Sequence, residues 1–185
     1  TVAVDDATSS NEFDPVADQT VSATTVDDDV AGFAIAESSG STSVNESGTT
    51  DTFTAVLTAQ PASDVVLTVT SGDTGEATVS PATLTFTTAN WNVPQTVTVT
   101  GVNDGLADGN QASAITVSVD DAASSNEFDA VADQTVTATT VDDDVAGFTI
   151  AESGGSTSVN ESGTTDTVTA VLTAQPASDV VLTVT

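Results

Sequence analysis

The 185-residue chain contains no lysine, arginine or histidine, against 28 aspartates and glutamates. No carboxylate has a cationic side chain to pair with, and at an effective dielectric near 20 two like charges about 4 Å apart repel by roughly 4 kcal/mol. Clustered carboxylates must therefore spread, take up protons or bind cations supplied from outside. A net charge of −28 also excludes nucleic acid as a partner and direct insertion into anionic membranes, because both are engaged through Lys and Arg patches.

Cysteine is absent as well, so the chain has neither disulfides nor thiolate zinc sites, and without lysine it forms no lysine-based isopeptide crosslink. Zero cysteine is compatible with export, since calcium is the other common reinforcement of secreted domains. Nucleophilic catalysis lacks its base, because no His, Lys or Cys is available. A pair of carboxylates can hydrolyse glycosides, but the aromatic and basic lining of a sugar site is missing, so the chain is not expected to be an enzyme. No apolar run has the length to span a bilayer and no signal peptide is recognisable; any anchor or export signal is expected outside this segment. Aromatics are scarce at 4%, a disorder signal when joined to high acidity, yet 38% hydrophobic residues in alternating runs suffice to build cores.

What the chain does contain is a long repeat. Thr1–Thr70 realigns on Thr116–Thr185, an offset of 115 residues, with seven differences: Ala3/Ser118, Thr8/Ala123, Pro15/Ala130, Ser22/Thr137, Ala34/Thr149, Ser39/Gly154 and Phe53/Val168. Such a period is too long for a solenoid rung and suits independently folding domains on a string. Residues 1–29 are read as the end of one module, 30–144 as a complete module and 145–185 as the start of a third. Donation of residues 1–29 of one chain to residues 145–185 of another would lack a counterpart to residues 71–115, so simple strand donation is not expected.

Within the period, apolar residues alternate with Thr and Ser: Phe53, Ala55, Leu57; Val65, Leu67, Val69; Leu84, Phe86; Val97, Val99; Ile115, Val117, Val119; Val136, Ala138. A period of two with Thr and Val enrichment is the pattern of half-buried strands. Turn signals at Ser71-Gly72-Asp73, Ser80-Pro81 and Asn103-Asp104-Gly105 divide each module into about seven strands. The fold class expected is all-β: tandem immunoglobulin-like antiparallel β-sandwich modules of about 115 residues. Trp91, the only tryptophan, is expected to cover one end of the core.

The acidic residues gather at expected strand ends: Glu46, Glu76, Asp104, Asp108 and the triplet Asp142, Asp143, Asp144. The triplet has its repeat counterpart in Asp27, Asp28 and Asp29, and Glu46 has its counterpart in Glu161. Carboxylates and carbonyls from several loops at one pole supply the six to eight oxygens that calcium takes, so Ca2+ is the metal expected. Asp5, Asp6, Asp120 and Asp121 are read as solvated turn residues. Asn45-Glu46-Ser47 and Asn160-Glu161-Ser162 fit the glycosylation pattern, but Glu46 already has a metal role. The Thr96, Thr98, Thr100 string resembles a threonine array of an ice-binding surface and equally an ordinary exposed strand.

These residues also carry a family resemblance. VDDDVAGF, at Val26–Phe33 and again at Val141–Phe148, resembles the aspartate triplet and Ala-Gly-aromatic start that link successive Calx-β modules, known from sodium–calcium exchangers and bacterial surface proteins. The resemblance covers essentially the whole period. It implies that Glu46 falls on the family's early glutamate and Glu76 on a position usually held by a calcium-binding aspartate, and that Asp104 and Asp108 occupy acidic positions of the next loop. Asn103 and Gln111 depart from the acidic pattern, which implies a thinner site of two or three ions.

The function expected is a calcium-rigidified structural or adhesive spacer in a large extracellular filament, surface-layer or adhesin protein, located at the cell surface. The alternative is a module that binds glycan or ice. Partners expected are neighbouring modules of the same polypeptide, with lateral self-association or a surface glycan as the outside ones.

Overall fold

The structure, a computed structural model, describes residues 1–185. Nine strands between Phe33 and Val141 form two sheets: β1 (Phe33–Glu37), β2 (Thr42–Asn45), β3 (Thr50–Leu57), β4 (Val65–Ser71), β5 (Ala77–Ser80), β6 (Thr83–Phe86), β7 (Gln95–Gly101), β8 (Gln111–Val119) and β9 (Gln134–Val141). One sheet has the order β1-β3-β7-β5 and the other β2-β9-β8-β4-β6. The fold is an all-β, immunoglobulin-like sandwich.

The alternation read from the sequence is the alternation of burial. Val97 and Val99 on β7 and Ile115 and Val117 on β8 are fully buried, while the residues between them face outward. Eighteen apolar side chains form one core, with Phe33, Phe53, Phe86 and Phe128 its aromatic members. Trp91 packs against it partly buried, and its carbonyl accepts a hydrogen bond from the Leu57 N–H at 3.2 Å.

The strand count is nine rather than the expected seven because two segments change sheets. The first breaks at a 3-10 turn, Ser38–Gly40, where Ser39 (φ 60°) and Gly40 (φ 79°) enter the left-handed region. Its first half, β1, pairs antiparallel with β3, and its second half, β2, crosses over to pair with β9. The second breaks at the cis peptide Ser80-Pro81, sending β5 to β7 and β6 to β4. All four edge positions are thereby filled by two sheet-switching segments, which limits the open edge that invites aggregation. The β2–β9 pair is parallel, the one departure from the antiparallel expectation within the sandwich.

Beyond this sandwich, β10 (Phe148–Glu152) pairs with β11 (Val168–Leu172) in the same register as β1 with β3: Phe148 faces Leu172 as Phe33 faces Leu57. Residues 1–29 contain turns and a single antiparallel bridge, Val2 with Gln19. No helix is long and apolar enough to cross a membrane.

Candidate metal centre

At one pole of the sandwich β2, β4, β7 and β9 end while β3, β5 and β8 begin. Glu46 follows β2, Glu76 precedes β5, Asp104 and Asp108 lie between β7 and β8, and Asp142, Asp143 and Asp144 follow β9. The seven candidate carboxylates of this module thus share one pole, because each stands where a strand hands over to a loop.

Three of them converge. Carboxylate oxygens of Glu46, Asp143 and Asp144 all lie within 4.8 Å of one another. Glu46 is buried, at 2% exposure, Asp144 is half-buried and Asp143 exposed, so the cluster opens outward from a buried floor. Oε2 of Glu46 and Oδ2 of Asp144 are both buried and without a hydrogen-bond partner. A buried polar atom left unpaired costs the whole of its lost hydration, and a charged one more.

Burial pushes the Glu46 carboxyl above its ordinary value, and the charges of Asp142 and Asp104 push it further. Asp144 is raised for the same reason, burial first and then Asp143, Asp142 and Asp104. Glu76 is also raised by burial, with Asp108 and Asp104 adding to it. The negative field of the pole therefore extends over both halves of the carboxylate set.

Asp142 has a different place. Its Oδ2 accepts the Gly109 N–H at 2.7 Å and its Oδ1 accepts the Asp144 N–H at 2.7 Å, while its own N–H donates to Asn110 Oδ1 at 3.2 Å. It ties the triplet to the β7–β8 loop. Asp104 Oδ1 accepts the Leu106 N–H at 2.8 Å within that same loop. Glu76 is held by its backbone, the carbonyl accepting Val102 N–H at 2.8 Å and the buried Thr140 hydroxyl at 3.1 Å. Asp108 is exposed.

The repeat counterparts stand otherwise. Asp27, Asp28, Asp29 and Glu161 are exposed and join no three-carboxylate cluster. Asp27 and Asp29 line a cleft of about 360 Å³ together with Ala59, Gln60 and Pro61.

Several residues that shape the pole carry no acidic signal. Gly101 ends β7 against β2: a Cβ there would lie 2.1 Å from the Asn45 carbonyl oxygen, beside Glu46. Gly109, at φ 81°, turns its N–H to Asp142. Asn110 and Thr140 contribute as described above. Gly109 and Asn110, in an Asp-Gly-Asn turn, stand in a sequence pattern that marks a turn; Gly101 and Thr140 do not.

An all-oxygen, carboxylate-rich set matches hard cations and not zinc or copper, which favour nitrogen or sulfur donors. The two unpaired buried oxygens fit that use, since a cation supplies the missing partner.

No family model and no curated protein matches the chain. Solved structures of similar shape include SSP-19, an MSP-domain protein of Caenorhabditis elegans, at 19% identity and a TM-score of 0.37 over 55% of this chain and 92% of that one. The Escherichia coli chaperone DraB gives 8% identity and 0.43 over 63% of this chain and 59% of that one. Domains 1–6 of the surface layer protein SbsC give 21% and 0.42 over 84% of this chain and 23% of that one.

Proposed function

We propose that the chain is a run of calcium-binding structural modules of an extracellular surface protein, with residues 30–144 the complete module, 1–29 the end of the one before and 145–185 the start of the next. The observation that carries this reading is the pair of buried, unpartnered oxygens of Glu46 and Asp144 inside a three-carboxylate cluster of a chain that has no cationic side chain. The Calx-β resemblance of VDDDVAGF also supports it, since the aspartates of that motif include Asp143 and Asp144.

Glu46, Asp143 and Asp144 are the residues that would hold the ion, with Asp104, Asp142, Glu76 and Asp108 adding negative charge around it. Bound calcium supplies two positive charges and oxygen coordination, which offset the repulsion between these carboxylates. Asp142, through Gly109 and Asn110, keeps the β7–β8 loop against the triplet. The triplet leads directly into Val145, Ala146 and Gly147, so ordering it orders the entry to the following module. Successive modules then form a semi-rigid spacer of adhesin, filament or surface-layer type.

Calorimetric unfolding at fixed ionic strength tests the reading. An ion that binds only the folded state adds about 2.7 kcal/mol at a hundredfold excess over its dissociation constant, so calcium should raise the melting temperature and a chelator lower it. Identical unfolding curves in calcium and chelator would overturn the metal assignment.

A further inference from the structure

We propose that the Gly105-Leu106-Ala107 turn is a docking element that seats on Ala174-Gln175-Pro176 of the following module, and that the joint between modules is a backbone contact standing with or without metal. Leu106 forms an isolated parallel bridge with Gln175. The Gln175 N–H donates to the Gly105 carbonyl at 2.7 Å, and the Ala107 N–H donates to the Gln175 carbonyl at 3.2 Å. Ala107 also forms one wall of an apolar groove of about 460 Å³ whose other walls include Ala146, Phe148, Leu172 and Pro176. The contact joins the β7–β8 loop of one module to the segment after β11 of the next.

The docking turn is braced before it meets its seat. Asp104 Oδ1 accepts the Leu106 N–H at 2.8 Å, and Gly109 N–H donates to Asp142 Oδ2 at 2.7 Å. The turn is therefore braced within its own loop at Asp104 and tied to its own module at Gly109, while its tip reaches the neighbour. Little conformational freedom is left for docking to remove, which favours even a small contact.

The seat is written into the repeat. Thr58–Thr70 recurs as Thr173–Thr185 without a substitution, so Ala59-Gln60-Pro61 has the same sequence as Ala174-Gln175-Pro176. The backbone N–H and C=O of Gln60 make no hydrogen bond in this chain, whereas those of Gln175 make two. Ala59, Gln60 and Pro61 follow β3, at the pole opposite the β7–β8 loop. Each module thus carries a docking turn at one end and a seat at the other. Such a contact is heterologous and extends in one direction without closing. The Gln60 seat is accordingly assigned to the Gly-Leu-Ala turn of a preceding module of this sequence.

Amide hydrogen exchange by NMR on the whole chain, in calcium and in chelator, tests the joint. Gln60 and Gln175 share the neighbours Thr-Ala-Gln-Pro, so their unprotected rates are equal and Gln60 is an internal reference. The Gln175 and Ala107 amides should exchange at least about tenfold more slowly than Gln60 in both conditions. Ala107→Pro, which lacks the N–H, should bring Gln175 to the Gln60 rate, while Ala107→Gly should keep it slow. Unchanged protection of Val97 and Val99 would show that the sandwich is intact in both variants. The joint is overturned if Gln175 exchanges as fast as Gln60 in the unmodified chain, or if Ala107→Pro leaves Gln175 slow. Protection seen only in calcium would also overturn it, in favour of an ion-made joint. Protection in both conditions without any calcium binding would uphold the joint and sink the calcium reading instead.

Discussion

Glu46 and Asp144, one just after β2 and the other just after β9, bring carboxylate oxygens within 4.8 Å of each other, and each holds a buried oxygen with no hydrogen-bond partner. The parallel pairing of β2 with β9 makes the meeting possible, because both strands then end at the same pole. The Glu46 N–H donates to the Val141 carbonyl at 3.2 Å and continues that pairing into the loop.

Glu46→Gln should reverse its effect on stability with metal. In chelator, at a pH above the raised Glu46 value, the amide replaces a buried, repelled charge, so the variant should melt above the unmodified protein. In calcium it has lost a ligand and should bind about tenfold or more weakly, roughly 1.4 kcal/mol, and melt below it. Melting curves in both buffers check this; a variant that melts lower in both would place Glu46 in packing alone.

Protons should leave when calcium binds. The Glu46, Glu76 and Asp144 carboxyls stand above their ordinary values of 4.5, 4.5 and 3.8, so in the pH window between the unfolded and the raised folded values the metal-free protein holds protons there that its unfolded chain has lost. Their raised values favour the metal-free fold fully below the unfolded pKa, and that contribution is lost as pH rises through the folded one. Calcium needs the ionised forms, so titrations in buffers of different ionisation enthalpy should report proton release that grows as pH falls from neutral towards the raised values. Binding heats independent of the buffer throughout that range would count against it.

Gly101→Ala should weaken both the fold and the site. The added methyl would meet the Asn45 carbonyl oxygen at 2.1 Å, and relief requires β2 and β7 to part at the pole. A cost of about 1–3 kcal/mol is expected for such overpacking, together with weaker calcium binding, since Asn45 precedes Glu46. Denaturant unfolding and calcium titration of the variant measure the two effects.

The junction should stiffen with calcium. The docking contact at Gln175 should hold the joint in both buffers, and calcium, by ordering the triplet, should add to its stiffness. Small-angle scattering of the chain should show a somewhat longer, straighter particle in calcium than in chelator, and Asp142→Asn, Asp143→Asn and Asp144→Asn together should erase that difference. Identical scattering of the unmodified chain in both buffers would leave calcium binding possible and remove its role as a stiffener.

Much was legible in the sequence: alternation marked the strands, Asn-Asp-Gly and Ser-Gly-Asp the turns, and acidic strand ends the pole. Those signals are local, written by which side chains face a core and which backbone angles a turn needs. The sheet switches were not legible: Ser80-Pro81 marked a break but not a change of sheet, and nothing local in Phe33–Asn45 says that its two ends pair with different sheets. Nor was the choice of Glu46, Asp143 and Asp144 from seven candidates, which depends on how β2 and β9 end side by side.

The repeat separates the two contributions within one molecule. Gln134–Val141 is strand β9 between β2 and β8, while residues 19–26, differing only in Ser22 for Thr137, form no strand. Residues 42–45 are β2 beside β9, and their identical counterparts 157–160 are not a strand. Phe33 is 5% exposed in the core and Phe148 53% exposed outside it. The sequence by itself determined what each segment is able to become, through its alternation and turns. Only the tertiary structure decided which copies became strands, because a ladder's hydrogen bonds and a buried face both have to be supplied by a neighbour.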